Sequence, residues 1–124
     1  MGFPQSFWIY RGGMAYYHYT SRQGAQDIIC AQLIVPGPSS RIYLAPLLYV
    51  VGYEAANALS IVSKPVEMVC EIPDNLVAGP TPPRKVRLLR GPDGTILRRG
   101  GGEEVSTVQP IRASRRKWIS LREP

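Results

Sequence analysis

The residues best suited to chemistry in this chain are one histidine, three closely spaced tyrosines and a pair of glutamates. His18 is the only histidine. It stands in Tyr17-His18-Tyr19-Thr20, at a strand-to-helix corner where an imidazole can hydrogen-bond a ligand hydroxyl. Tyr43 and Tyr53 fall on a strand and on a following helix, with Tyr49 between them. Two such rings can face each other across a slot and hold a flat cationic ring such as nicotinamide by stacking and cation–π attraction. Glu103 and Glu104 follow three glycines, Gly100 to Gly102. The glycines let backbone approach a ligand, and a bulge there aims one carboxylate inward. Neighbours on a strand face opposite sides, so only one of the two glutamates can face a pocket. A sandwiched leaving group beside a carboxylate suits cleavage through an oxocarbenium-like state, the logic of glycoside hydrolysis. Each feature also has an ordinary reading: a structural histidine, core or surface aromatics, and solvated surface carboxylates.

The elements that must position these residues follow from pattern. The aromatic stretch Phe3 to Tyr10 can pair at a sheet edge, and residues 1–13 read as an irregular N-terminal segment ending in the Gly12-Gly13 turn. Met14 to Tyr19 reads as a strand. Thr20 or Ser21 caps a helix over about Arg22 to Gln32, with Ala25, Ile28, Ile29 and Leu33 on one face. Arg41 to Leu44 is a short strand, and Leu47 to Ile61 reads as an apolar helix despite Gly52. Val66 to Ile72 alternates, with Val66, Met68, Cys70 and Ile72 on one face and Glu67 and Glu71 on the other. Lys85 to Arg90 and Thr95 to Arg99 flank Gly91-Pro92-Asp93-Gly94 as a hairpin. Glu103 to Val108 and Trp118 to Leu121 are further strands. Early helices and late strands give an α+β domain with a mainly antiparallel sheet.

Bulk properties bound the function. The chain of 124 residues fits one domain. Residues 1–83 carry 4 Lys/Arg against 5 Asp/Glu, whereas residues 84–124 carry 11 against 4, so the net charge of +6 belongs to the last third. Such a surplus suits nucleic acid, dinucleotide phosphates or an acidic protein, or else is a solvated basic face. Cys30 and Cys70 lack metal spacing and both lie in apolar segments, which predicts two buried free thiols and a reducing compartment. There is no apolar run of transmembrane length, and Met1 to Arg11 lacks the pattern of a signal peptide. A domain cut from a longer polypeptide is a further reading.

Tyr17-His18-Tyr19-Thr20 with Gly24-Ala25 and Asp27-Ile28-Ile29 resembles the opening of the ADP-ribosyltransferases named for a His-Tyr-Asp signature, common as C-terminal toxin domains of bacteria. Ile42-Tyr43-Leu44-Ala45-Pro46 resembles their next motif, and the Tyr43, Tyr49, Tyr53 run looks like the paired tyrosines of the diphtheria-toxin-like branch. Gly100 to Val105 is similar to a Gly-rich stretch of tuberculosis-necrotizing-toxin-like NAD glycohydrolases, in which a Gln stands where Glu104 stands here. The resemblance implies two small, mainly antiparallel sheets forming an NAD cleft, with one or two early helices. It implies NAD as substrate, Glu104 as the catalytic carboxylate, and His18, Tyr19, Thr20, Tyr43 and Tyr53 around the dinucleotide. It further implies a toxin or effector, acting in its own or a target cell's cytoplasm, with a macromolecular acceptor of ADP-ribose, a cognate inhibitor protein and no membrane partner. Ala45 departs from the family's Thr, and no Asp fills the third signature position.

Two rival readings stand beside transfer of ADP-ribose. One is hydrolysis of NAD to nicotinamide and ADP-ribose. The lack of an acidic residue at Gly102, two before Glu104, tilts away from arginine as acceptor. The other is a non-enzymatic basic module for RNA or protein, which predicts a cluster of Arg84, Lys85, Arg87, Arg90, Arg98 and Arg99.

Overall fold

The computed structural model describes residues 8–10, 15–113 and 115–123. The expected turn at Gly12-Gly13 and the expected start of a strand at Met14 lie outside them. The elements run β1 (Trp8–Tyr10), β2 (Ala15–Thr20), α1 (Arg22–Ala31), β3 (Leu33–Ile34), β4 (Ile42–Leu44), β5 (Leu47–Tyr49) and α2 (Gly52–Ala58). There follow β6 (Met68–Pro73), β7 (Arg84–Lys85), β8 (Leu89–Arg90), β9 (Ile96–Arg98), β10 (Glu103–Thr107), β11 (Ile111–Arg112) and β12 (Trp118–Ser120), with single 3-10 turns at Asp74–Leu76 and Arg115–Lys117. The protein is therefore α+β, with two early helices. Its antiparallel ladders form two three-stranded sheets, ordered β12-β6-β2 and β4-β10-β7, and three two-stranded ribbons, β1-β5, β3-β11 and β8-β9.

A backbone bridge joins the two larger sheets. β2 pairs with β6 along its whole length, from Ala15 opposite Pro73 to Thr20 opposite Met68. On its other edge it meets the β4 segment through Tyr17, whose N–H and C=O exchange 2.9 Å hydrogen bonds with Ala45. Past that bridge the strands part, and a cleft opens between the sheets.

Two apolar clusters hold the arrangement. Tyr17, Tyr19, Leu48, Tyr49, Ala55, Val69 and Leu121 form one. Ile34, Ile42, Leu44, Cys70, Ile72, Val105 and Ile111 form the other. Each buried side chain of this size contributes roughly 1.5–3 kcal/mol, most of it offset by lost chain entropy. The central strand β6 serves both, Val69 facing the first cluster and Cys70 and Ile72 the second. The face opposite Cys70 and Ile72 is thus not simply the solvated, acidic one that the Glu67 and Glu71 spacing suggests.

α1 starts where Ser21 accepts a 3.0 Å bond from the Gly24 N–H, so Ser21, not Thr20, is the cap. It ends one residue before Gln32, which takes the left-handed conformation at φ 57° and bonds back to the Ile28 carbonyl. Ala25 is its buried residue and Ile28 packs on the second cluster, while Leu33 lies beyond the helix in β3.

The expected helix over Leu47 to Ile61 is replaced by β5 and the shorter α2. The reason is tertiary. Trp8–Tyr10 offers a partner strand, with Trp8 opposite Tyr49, and the Tyr19 hydroxyl takes the Tyr49 N–H at 2.6 Å. Gly52 then turns the chain, and a Cβ there would collide with the Val66 carbonyl. The expected hairpin is also shorter than its sequence signal. Leu89–Arg90 pairs with Ile96–Arg98, but Arg84–Lys85 leaves it to pair with β10. Both cysteines are free as expected, but Cys30 is exposed on α1 and only Cys70 is buried.

Candidate active site

The cleft between the two large sheets has a volume of about 1120 Å³ and is open to solvent. It is above the roughly 300–1,000 Å³ usual for small-molecule sites. His18, Tyr43 and Glu104 all line it. β2 supplies His18, β4 supplies Tyr43 and β10 supplies Glu104.

On β4, Ile42 and Leu44 point into the second apolar cluster, so alternation turns Tyr43 outward, where it is 42 % exposed. On β10 the register sets Ser106 opposite Tyr43 and Val105 opposite Leu44. Glu104 therefore shares the face of Ser106 and Tyr43. Arg41 precedes Tyr43 by two residues, and its Nη1 donates to the Ser106 Oγ at 2.9 Å. Glu103, one residue away, is exposed and does not line the cleft; its charge instead helps to raise the pKa of Tyr49, behind the larger effect of burial.

His18 spans the split between the sheets. Its Nδ1 lies 3.2 Å from the Tyr43 carbonyl oxygen, which can only accept, so Nδ1 carries the proton and Nε2 keeps its lone pair. Burial is the main cause that pushes its pKa down to about 4, the Tyr43 carbonyl opposes, and the Lys64 cation adds to the fall. At neutral pH the ring is uncharged and offers an acceptor to a hydroxyl. Glu104 is partly buried, which raises its pKa, while the Arg84 guanidinium 3.9 Å away opposes the rise.

Three expected contact residues are placed otherwise. Tyr19 borders the cleft, but its hydroxyl reaches the core, where it accepts from the Tyr49 N–H and lies 3.3 Å from the Leu47 carbonyl. Alternation on β2 sends Tyr17 and Tyr19 to the core face, and its cost is that Tyr19 cannot offer its hydroxyl to a ligand. Thr20 is buried and packs against Gly24, where a Cβ would collide with its Oγ1. Tyr53 does not face Tyr43. It is 54 % exposed and borders a smaller hollow with Arg22, Val66 and Arg122. The late start of the helix, at Gly52 after β5, places that ring in its first turn and on the other hollow. Tyr49 does not substitute for it, being buried against Tyr19 with ring centroids 6.2 Å apart.

The three glycines also have a different role from the one their flexibility suggests. The Gly100 N–H bonds the Asn57 carbonyl at 2.9 Å and the Gly102 N–H bonds the Ala58 carbonyl at 3.0 Å. These are orphan acceptors at the end of α2. Gly100 and Gly101 have φ of 70° and 94°, which lets the chain turn under the helix and enter β10. They aim Glu104 by anchoring its strand rather than by touching a ligand.

Sequence reasoning grouped Arg84, Lys85 and Arg87 but missed the cations that join them, Arg41 and Lys64. Arg41, Lys64, Arg84, Lys85 and Arg87 line the cleft, with Glu104 as the carboxylate among its described walls. The period of two from Tyr43 could have found Arg41. Lys64 had no local signal, because the chain leaving α2 brings it there. Of the expected basic cluster, Arg84, Lys85 and Arg87 come together, but Arg98 turns its Nε to the Ile61 carbonyl and Arg90 its Nη1 to the Gly94 carbonyl.

Among the described residues no helix is long and apolar enough to cross a membrane, and no group of ligating side chains could hold a metal ion. The chain matches no protein-family model, no curated protein and no solved structure.

Proposed function

We propose that the cleft binds NAD⁺ and cleaves its nicotinamide–ribose bond, passing ADP-ribose to a macromolecular acceptor. The observation that carries this reading is the convergence of His18, Tyr43 and Glu104, from three different strands, on one wide cleft with a cationic wall. The motif resemblance, with its ADP-ribosyltransferase-like fold and toxin or effector role, belongs to the same proposal.

In this reading the Tyr43 face stacks on nicotinamide, whose positive ring favours the π-cloud. The pyrophosphate lies against the cations. Neutral His18 accepts from a ribose hydroxyl through Nε2. Ionised Glu104 holds the nicotinamide ribose and opposes the charge that grows at its anomeric carbon. The C–N bond breaks with its electron pair leaving on nicotinamide, and the acceptor's nucleophile attacks the carbon.

Hydrolysis, with water as acceptor, is supported by one observation. Gly102 stands two residues before Glu104, and a Cβ there would lie 2.8 Å from the Tyr49 hydroxyl, so the chain has no room for a second carboxylate to orient an arginine.

Incubation of the purified chain with NAD⁺ and measurement of free nicotinamide tests the proposal. Glu104→Gln should lose about 10²–10³ in rate, the usual worth of one preorganised charge-stabilising group. Glu103→Ala should be close to neutral, and exchange of these two outcomes would move the role to Glu103. Absence of nicotinamide release by the wild-type chain, with and without cell extract as acceptor, would overturn the enzymatic reading. Growth arrest on induced expression that depends on Glu104 would support the toxin role.

A further inference from the structure

The cleft carries more positive charge than a dinucleotide uses. Five cationic side chains line it against one carboxylate. In NAD⁺ the two phosphate charges are half offset by the pyridinium. The surplus is local, because Arg84, Lys85 and Arg87 come from one short segment, and Arg84 and Lys85 pair edge-on with β10 beside Glu104. Arg84, Lys85 and Arg87 are all exposed. Leu88, the next residue, is 42 % exposed and shares the lining with them, as does the open face of Tyr43. A cationic groove with an exposed ring in its lining is the arrangement that tracks a phosphate backbone and stacks a base.

We propose that the macromolecular ligand of this cleft is a single-stranded nucleic acid, held at its phosphates by Lys85 and Arg87, with Arg84 beside the carboxylate, Arg41 bonded to Ser106 and Lys64 acting near His18. An acidic protein would meet the same charge, but its carboxylates bring no aromatic ring to stack on Tyr43 in the NAD⁺-free cleft. Resting on the NAD⁺ reading, the strand is the acceptor: with NAD⁺ bound, nicotinamide takes the Tyr43 face, and the strand keeps the cations for its phosphates and the exposed Leu88 for a base. The anomeric carbon loses nicotinamide with the bonding electron pair and forms a bond to a nitrogen or oxygen of the strand; a proton on that nitrogen or hydroxyl passes to solvent.

Binding is measured without NAD⁺, so that it stands apart from the reaction. Fluorescence anisotropy uses labelled single-stranded RNA and DNA of roughly 12 nucleotides, a duplex of the same sequence, and a poly-glutamate peptide. The single strands should bind with a log–log salt slope of about −2 to −3, as for three or four neutralised phosphates. Lys85→Glu with Arg87→Glu should weaken them at least about tenfold and flatten the slope by roughly 1.4. Arg112→Glu, at an exposed position away from the cleft, is the control and should cost far less. Both variants change exposed side chains, and matching melting temperatures verify their folding. Equal losses in the two variants, or poly-glutamate or duplex binding as tight as the single strands, would overturn the proposal. Strand binding without nicotinamide release would sink the enzymatic reading and leave this one standing, and nicotinamide release without strand binding would do the reverse. With labelled NAD⁺, label transfer to the RNA or to the DNA identifies which strand is the acceptor.

Discussion

Arg84 and Glu104 stand directly opposite each other on adjacent antiparallel strands, with Nε and Oε1 3.9 Å apart. The arginine side chain is 75 % exposed and the glutamate 19 %. Burial raises the carboxyl pKa and the guanidinium pulls it back, so the pair sets the pH at which Glu104 ionises. Arg84→Ala should raise that pKa further, because the guanidinium that opposes the effect of burial is lost. A carboxylate needed in its ionised form is lost as pH falls, so the acid limb of NAD⁺ cleavage should move to higher pH. Arg84→Lys should restore most of it. Carboxyl NMR titration reads the shift without relying on activity, and an unmoved Glu104 would remove the pairing from the account.

Tyr43, the exposed aromatic ring among the described residues of the cleft, should dominate nicotinamide recognition. Tyr43→Ala should weaken NAD⁺ binding by roughly 1–2 kcal/mol, and Tyr43→Phe should be mild because the ring face does the binding. Tyr53→Ala should leave affinity unchanged, since that ring opens on the other hollow. Calorimetric titration of the three variants separates these outcomes, and a loss at Tyr53 equal to that at Tyr43 would return both rings to one clasp.

His18 should make stability fall on the acid side of neutrality. Its folded pKa is about 4 against an ordinary value of 6.5. Between those limits the unfolded chain takes a proton that the folded chain refuses, so the contribution is whole above about pH 6.5 and declines as pH falls toward 4. At about pH 5 the loss should be about 1–2 kcal/mol. Chemical denaturation at about pH 7.5 and about pH 5 should show a smaller difference for His18→Gln than for the wild type. Parallel curves would mean that the imidazole is more hydrated than its position suggests.

Gly102 should tolerate no side chain. Gly102→Ala places a methyl 2.8 Å from the Tyr49 hydroxyl and 3.0 Å from the Ala58 carbonyl, and should cost about 1–3 kcal/mol through overpacking. Gly37→Ala meets nothing within 4 Å and should be close to neutral. Thermal melts of the two variants compare them directly.

Much of the local structure was legible because it rests on short-range chemistry. The β2 strand, the Ser21 start of α1, the outward turn of Tyr43 on β4 and the opposition of Glu103 to Glu104 all follow from period and capping, which act over a few residues. The α+β class follows from the order of those elements. What sequence could not decide depends on partners far along the chain. Leu47 to Tyr49 has the composition of a helix and becomes a strand because Trp8–Tyr10 and the Tyr19 hydroxyl satisfy its backbone from 28 residues away or more. That change carries Tyr53 off the cleft. Tyr19 and Tyr43 look alike in sequence, yet one is a core peg and the other an open ring, because β2 is covered on the face where β4 is bare. The glycines before Glu103 read as flexible ligand-contacting chain and prove to cap a helix more than 40 residues earlier, at Asn57 and Ala58. The positive cleft is the plainest case. Sequence determined how many cations the last third holds, but only folding decided that three of them would join Arg41 and Lys64 around one carboxylate, since charges distant in sequence converge only when buried apolar faces bring their strands together.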